Sequence, residues 1–176
     1  MEVEEFDEKY RRRFEKLATT NLADALDKVG IRGAVIGIRP MYECSKIIGR
    51  AVTIKITAAG MAKSKYHLGV RDIDACKDFG FPVYARGTVP ITARGRVMEE
   101  SFNEGIRIGD VQVRPGDILA ADISGVVVIP VEKLDEVLEA AEQVFQKETA
   151  MVEELRKGVS ILEVDQKYGY EAMLKK

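Results

Sequence analysis

Arg71 and Asp72 are the residues of this sequence best suited to chemistry, and they stand in a short polar stretch with His67 and Asp74. Neighbouring residues do not face each other on one element, so Arg71 and Asp72 make a poor ion pair and reach toward different targets. The planar fork of an arginine clamps a carboxylate. An aspartate holds a hard divalent cation directly or through its water shell. Together they suit a reaction in which negative charge builds on a carbonyl oxygen. The same dipeptide also suits the start of a surface helix with Asp72 near its N-cap, and both readings stand at this level. His67 titrates near neutrality and can serve as a base, or it can sit incidentally in an unpatterned loop. Asp110, Asp117 and Asp122 all lie in turn contexts, where Asx-turn bonding accounts for each without chemistry.

Composition bounds what those residues can belong to. The 176 residues are 46% hydrophobic and 32% charged, an ordinary globular balance that predicts one domain. With 27 basic and 29 acidic residues the net charge is −2, which lacks the footprint of a non-specific nucleic-acid binder. No tryptophan and 7% aromatics also argue against a base-stacking platform. No apolar run approaches the roughly 20 residues of a membrane span. Met1 to Asp7 is acidic rather than a basic, apolar leader, so the expectation is a cytoplasmic protein. Cys44 and Cys76 stand too far apart for a CxxC zinc site, and the one histidine excludes a His-rich centre. Any metal would therefore have oxygen ligands. Fingerprints for dinucleotides, phosphate loops, a serine nucleophile elbow and zinc proteolysis are absent.

The elements that must position Arg71 and Asp72 are legible in part. Phe6, Tyr10, Phe14 and Leu17 mark one face of a helix over 5–18, with Arg11, Arg12 and Arg13 as a solvated face or a contact for an acidic partner. Thr19 and Thr20 are N-cap candidates for a second helix carrying Leu22, Ala25, Leu26 and Val29, stopped at Gly30. Val52, Ile54 and Ile56 alternate with Thr53, Lys55 and Thr57 as a half-buried strand over 50–57. A short helix over 72–79 and a strand over 81–85 follow. Three short strands are expected between Ile106 and Pro130: Ile106 to Ile108 or Val111 to Val113, then Asp117 to Ala121, then Gly125 to Ile129. The unalternating run Val126 to Ile129 should be buried on both faces. Pro130 opens the longest helix, with Gly158 at its C-cap. Ser160 and Glu163 form a capping box for a last helix through Lys167. Strands and helices without strict βαβ alternation make an α/β layered domain with a mixed or partly antiparallel sheet.

Five stretches occur in an order that resembles one family. They are Thr20-Asn-Leu-Ala-Asp-Ala-Leu26, Gly49-Arg-Ala-Val-Thr53, Val70-Arg-Asp72, Gly80-Phe-Pro-Val-Tyr-Ala-Arg-Gly87, and the run from Pro115-Gly-Asp117 to Pro130. The chain resembles the RraA-like family, which includes regulators of ribonuclease E activity and 4-hydroxy-4-methyl-2-oxoglutarate aldolases that also decarboxylate oxaloacetate. The resemblance implies an α/β swivelling-domain fold in one RraA-like domain over 1–176. Its N-terminal helices would lie in 1–30, its sheet core in 49–130 and its C-terminal helices in 131–176. It also implies assembly as a homotrimer, or a hexamer of trimers. By the same resemblance Arg71 contacts a pyruvate-like 2-oxo acid substrate and Asp72 holds Mg²⁺ or Mn²⁺. The implied activity is that of a metal-dependent lyase, an aldolase or decarboxylase working without a Schiff-base lysine. Partners from nucleic acid or membrane are not implied. The alternatives are a non-catalytic regulator acting by protein contact and a truncated, inactive scaffold.

One departure from the family pattern stands out. Tyr66-His-Leu-Gly69 runs straight into Val70-Arg-Asp72, where the family places a strand, a helix, a strand and a Gly-rich substrate loop. Roughly fifty residues have no counterpart at this junction, an amount that fits such a unit. The segment is either omitted from the chain as read or deleted from the protein. A Cα spacing of about 3.8 Å across the junction would favour deletion.

Overall fold

The computed structural model describes residues 8–61 and 72–169. Its elements run α1 (Glu8–Glu15), α2 (Thr19–Lys28), β1 (Ala34–Val35), β2 (Arg39–Pro40), β3 (Ile47–Arg50) and β4 (Ile54–Ala58). After the undescribed junction come α3 (Ile73–Asp78), β5 (Tyr84–Ala85), β6 (Val97–Phe102), β7 (Ile106–Ile108), β8 (Val111–Val113), β9 (Ile118–Asp122) and β10 (Gly125–Ile129). A single 3₁₀ turn over Val131–Lys133 leads into α4 (Leu134–Arg156), and α5 (Ile161–Tyr168) follows.

The core is built around a four-stranded sheet in the order β1-β10-β9-β3, with every pair antiparallel. The pleat sends alternate residues to opposite faces. Ile118, Ala120, Val127 and Ile129 pack with Phe14 of α1, Leu22, Ala25 and Leu26 of α2, and Val137, Leu138 and Ala141 of α4. On the other face Val128, Leu119 and Val126 pack with Val111 and Val113, from the β7–β8 hairpin. That two-sided cover explains why the run from Val126 to Ile129 carries no polar alternation. Each fully buried Val, Leu or Ile in these layers contributes about 1.5–3 kcal/mol.

The α/β class holds, and several local expectations need correction. Among the described residues all strand pairs are antiparallel, because the sheet strands are joined by tight turns and excursions rather than by helical crossovers. The strand expected over 50–57 is split into β3 and β4, since Ala51 and Thr53 leave the ladder to bond the 103–117 region: Ala51 N–H donates to Asp117 O and Asn103 N–H to Thr53 O. Val52 and Ile56, expected to face a core, are 64% and 46% exposed. The strand expected over 81–85 is only Tyr84–Ala85. The two alternatives for the first meander strand are both strands, forming the β7–β8 hairpin. The N-cap of α2 is Ala18, not a threonine. Gly158 lies just past the end of α4 with φ +88°, and the Ser160–Glu163 capping box forms as expected.

The layers are unevenly filled. From Asp72 to Asp110 not one residue is buried. β2–β5 and β4–β6 are separate two-stranded ribbons outside the main sheet. Two strands alone are marginal in water, so this part of the chain depends on its neighbours for order.

Gly33 marks how tightly the helical layer closes on the sheet. Its carbonyl accepts from Val128 N–H at 2.8 Å, and a Cβ there would lie 2.3 Å from Val128 O and 2.7 Å from Leu26 Cδ1. Backbone cannot yield as a flexible side chain does. Gly33→Ala is expected to cost roughly 2–3 kcal/mol in urea denaturation, while Gly87→Ala, with nothing within 4 Å, should change stability by less than about 0.5 kcal/mol.

Candidate functional site

Of the two residues singled out for chemistry, one is placed. Arg71 lies outside the described residues, as do His67 and the 69–70 junction. Asp72 occupies the N-cap position of α3, exposed, and its carbonyl accepts from Cys76 N–H at 3.0 Å. Its carboxylate makes no bond to the amides of its own helix. The helix-start reading is thus right about position but leaves the side chain without a capping role. Asp74 lies in the first turn of α3, also exposed.

α3 is held to the β2–β5 ribbon from beyond its C-terminus. The Tyr42 hydroxyl donates to Cys76 O at 3.2 Å and lies in short contact with Phe81 O. Phe81 N–H returns to Cys76 O at 2.8 Å. Pro40 faces Tyr84 and Arg39 faces Ala85 in the ribbon. This scaffold presents Asp72 on a short helix whose other end is tied down.

For a cation, the described donors are sparse. No group of three or more His, Cys, Asp or Glu residues that could hold a metal exists among the described residues. A single exposed carboxylate fits a hard cation that keeps most of its water, as Mg²⁺ does, and does not fit a closed protein cage. Asp72 is the residue that would hold it.

The strongest electrostatic organisation lies elsewhere, at the end of β9. The Asp122 carboxylate accepts from Thr19 N–H at 2.8 Å, from the Thr19 hydroxyl at 2.7 Å and from Ser124 N–H at 2.8 Å. Burial pushes its carboxyl up, but those hydrogen bonds and the nearby Lys46 ammonium outweigh it and hold it below the ordinary value. Lys46 in turn donates to Phe14 O at 2.7 Å, Glu15 O at 3.0 Å and Leu17 O at 2.7 Å, satisfying carbonyls left over at the end of α1. Burial lowers its ammonium, opposed by Asp122 and Glu15. The Cys44 thiol lies 3.5 Å from the Tyr84 hydroxyl, and burial followed by that contact raises the Tyr84 phenol. Asp24 is raised by burial, with Glu148 and Asp27 adding repulsion.

The bonds Asp122 accepts come from the chain itself, so the cluster works as a tie rather than as an empty site. No local pattern announces it, because Thr19 and Asp122 are 103 positions apart. The Asx-turn expectation captured only the bond to Ser124. Asp117 is likewise a tie, as the turn reading implied, and only 2% exposed. For Asp110 the described contact is from its carbonyl, which accepts from the Arg107 guanidinium at 3.3 Å.

Residues 66–128 match the RraA-like family model, described as Aldolase/RraA. A Halalkalibacterium halodurans protein named "Putative 4-hydroxy-4-methyl-2-oxoglutarate aldolase" is 28% identical over 172 positions, covering 74% of this chain and 80% of its own length. Protein DlpA of Legionella pneumophila is 24% identical over 200 positions, covering 87% of this chain, and the chain spans only 32% of DlpA. In the first alignment 74% of 176 residues is about 130, so about 40 of the 172 positions face gaps in this chain. In the second 87% is about 153 of 200, a shortfall of about 47. Among solved structures, an uncharacterized protein from Pseudomonas syringae superposes with TM-score 0.80 at 23% identity, covering 90% of this chain and 98% of that one. Streptomyces coelicolor RraAS2, described as an unusual member of the RNase ES inhibitor RraA family, gives 0.69 at 19% identity, covering 84% and 98%. At these identities the structures establish the fold. No helix among the described residues is long and apolar enough to cross a membrane.

The Asp122 tie has a pH signature. A carboxyl held below its unfolded value, about 3.9, contributes stability that is fully present above that value and is lost as pH falls through the lower folded one. Asp122→Asn is expected to cost about 1–2 kcal/mol at neutral pH, allowing for partial exposure. Denaturation curves taken from neutral pH down through the carboxylate range should show the wild-type and variant stabilities converging as acid protonates Asp122.

Proposed function

We propose that this chain, which matches the RraA-like family model over residues 66–128 and is similar in fold to an RraA-family structure, is a divalent-metal-dependent lyase acting on a pyruvate-like 2-oxo acid, such as oxaloacetate or 4-hydroxy-4-methyl-2-oxoglutarate. The observation that carries the reading is the Val70-Arg-Asp72 motif lying inside the matched segment, with Asp72 exposed at the N-cap position of α3. A bound Mg²⁺ or Mn²⁺ supplies Lewis-acid stabilisation of charge on the substrate's oxygens. Asp72 anchors that cation. Arg71 pairs its guanidinium with the substrate carboxylate and fixes the direction from which the scissile carbon–carbon bond is presented. In oxaloacetate that bond breaks toward the carbonyl side: carbon dioxide leaves, and a proton adds to the carbon left behind to give pyruvate. Like the aldolase reading, assembly as a trimer or hexamer belongs to this proposal.

A second reading is favoured by a specific observation. The relatives carry about 40 or more aligned positions that this chain lacks, and no residue from Asp72 to Asp110 is buried. A chain without the residues that surround a substrate can still bind a protein, and one structural neighbour belongs to a family described as an RNase inhibitor. This second reading is a non-catalytic regulator, or a scaffold without chemistry.

Pyruvate release from oxaloacetate separates the two. The lyase reading expects turnover with Mg²⁺ or Mn²⁺ that EDTA abolishes. It expects Asp72→Asn and Arg71→Lys each to lower kcat/KM by about 100-fold or more, because lysine cannot replace the planar fork. Full activity in Asp72→Ala, or none in the wild type with either metal, overturns the lyase reading. Capture of a ribonuclease scaffold by a chain without lyase activity establishes the regulator.

A further inference from the structure

We propose that the cavity between α1 and α4 is a binding site for a small monocarboxylate that carries an apolar body, aromatic or branched aliphatic. The inference is independent of the lyase reading, since neither helix carries Arg71 or Asp72.

The cavity has a volume of about 400 Å³, room for a ligand of small-metabolite size. Arg12, Lys16 and Leu17, from α1 and the residues just after it, line one wall. Phe145 and Gln146 of α4 line the other, and Arg13 and Glu142 bridge the two. The basic triplet from Arg11 to Arg13 is thereby divided into residues with different roles.

Arg13 is spent on the fold. Its Nε donates to Glu142 Oε1 at 2.6 Å, its Nη2 to Glu142 Oε2 at 2.9 Å and its Nη1 to Asp135 at 3.2 Å. All three guanidinium nitrogens are engaged, so this bridge offers a ligand little charge. Arg12 and Lys16 differ. They stand four positions apart, close to one helical turn, and share a side of α1. Arg12 meets Glu8 through its Nε at 3.4 Å, and Glu8 is shared with Arg11 at 3.6 Å. Exposed pairs of this kind contribute little, and the terminal nitrogens of Arg12 keep their donors. Lys16 has no acidic partner among the described residues.

A helix C-terminus ordinarily repels an anion, because its leftover carbonyls carry partial negative charge. Here Lys46 takes the carbonyls of Phe14, Glu15 and Leu17, which offsets that repulsion beside Lys16.

The floor of the cavity is apolar and fixed. Leu17 is buried, and Phe145 is half-buried and packed against the main core. A carboxylate placed between Arg12 and Lys16 leaves the rest of its molecule over this floor. An inorganic anion wastes the floor, and a neutral apolar molecule wastes the two cations. The complementary ligand therefore has both parts. A second charge at its far end would be desolvated over Phe145 without a partner, which favours one carboxylate over two.

The test is a calorimetric titration of the whole chain, in its native assembly, with 4-phenylbutyrate. Saturable binding of one probe per chain is expected, weakening as salt is added. The alcohol 4-phenylbutanol has the body without the charge, and acetate has the charge without the body. Each is expected to bind roughly tenfold or more weakly. Lys16→Glu and Arg12→Glu should each weaken 4-phenylbutyrate binding by a similar factor. Both side chains are exposed, so the variants should match the wild type in urea midpoint. Amide exchange in 12–17 and 142–146 should slow when the probe is bound. No saturable binding at millimolar probe, equal binding of the alcohol, variants that bind like wild type, or protection confined to other segments each overturns the proposal.

Discussion

β9 carries a carboxylate at each end, and the described fold hangs on those two groups. Asp117, just before the strand, accepts from Arg114 N–H at 2.8 Å, from the Arg114 guanidinium at 3.2 Å and from Val131 N–H at 3.3 Å. It thereby ties the β8–β9 turn to the residues that open α4. Arg114 extends the tie to Glu132 at 2.6 Å, and burial of Asp117 makes these bonds obligatory. Removing partners from a buried charge costs about 3–5 kcal/mol, far more than an exposed ion pair contributes. Asp122, closing the strand, holds the first turn of α2. The main-chain bonds Ala51 N–H to Asp117 O and Gly116 N–H to Ala51 O bring the β3–β4 bend into the same arrangement. Two of the helices that cover the sheet, α2 and α4, are therefore set by the two ends of one central strand.

This arrangement explains which parts of the sequence were readable. The run from Pro115-Gly-Asp117 to Pro130 announced two strands, their turns and a following helix, because each instruction lay within a few residues of its effect. The capping box at Ser160 and Glu163 was local in the same way. The start of α2 was not. Thr19 looked like a cap, but a remote carboxylate takes its main-chain N–H and hydroxyl together, so the cap position falls one residue earlier on Ala18. A carboxylate at a helix N-terminus also meets the positive end of the helix dipole, a benefit no local pattern reveals.

The β4 region shows the opposite failure. Its alternation of Val52, Ile54 and Ile56 with polar residues is a sound strand signal, and a strand does form over Ile54–Ala58. Alternation says that one face wants cover; it does not say that cover exists. Here the apolar positions remain substantially exposed. The candidate site shares this character: Asp72 is exposed, and from there nothing is buried until Val111. The Val70-Arg-Asp72 motif is legible in the sequence, whereas its surroundings are not, because no residue from Asp72 to Asp110 is buried to fix them.

The two halves of the molecule thus obey different economies. Around β9 the polar groups are satisfied by the chain itself and the apolar faces are covered on both sides, so that half is specified by one copy. From Asp72 to Phe102 the chain supplies secondary structure without a core of its own. Short ribbons and a short helix acquire fixed geometry only against another surface, because the entropy of ordering them is not offset by burial within the chain. A catalytic arginine and aspartate need positions fixed to a fraction of an ångström. Whatever completes that surface therefore decides whether Arg71 and Asp72 can act, and the order of α3 and its flanking ribbons is the physical quantity on which any activity of this chain turns.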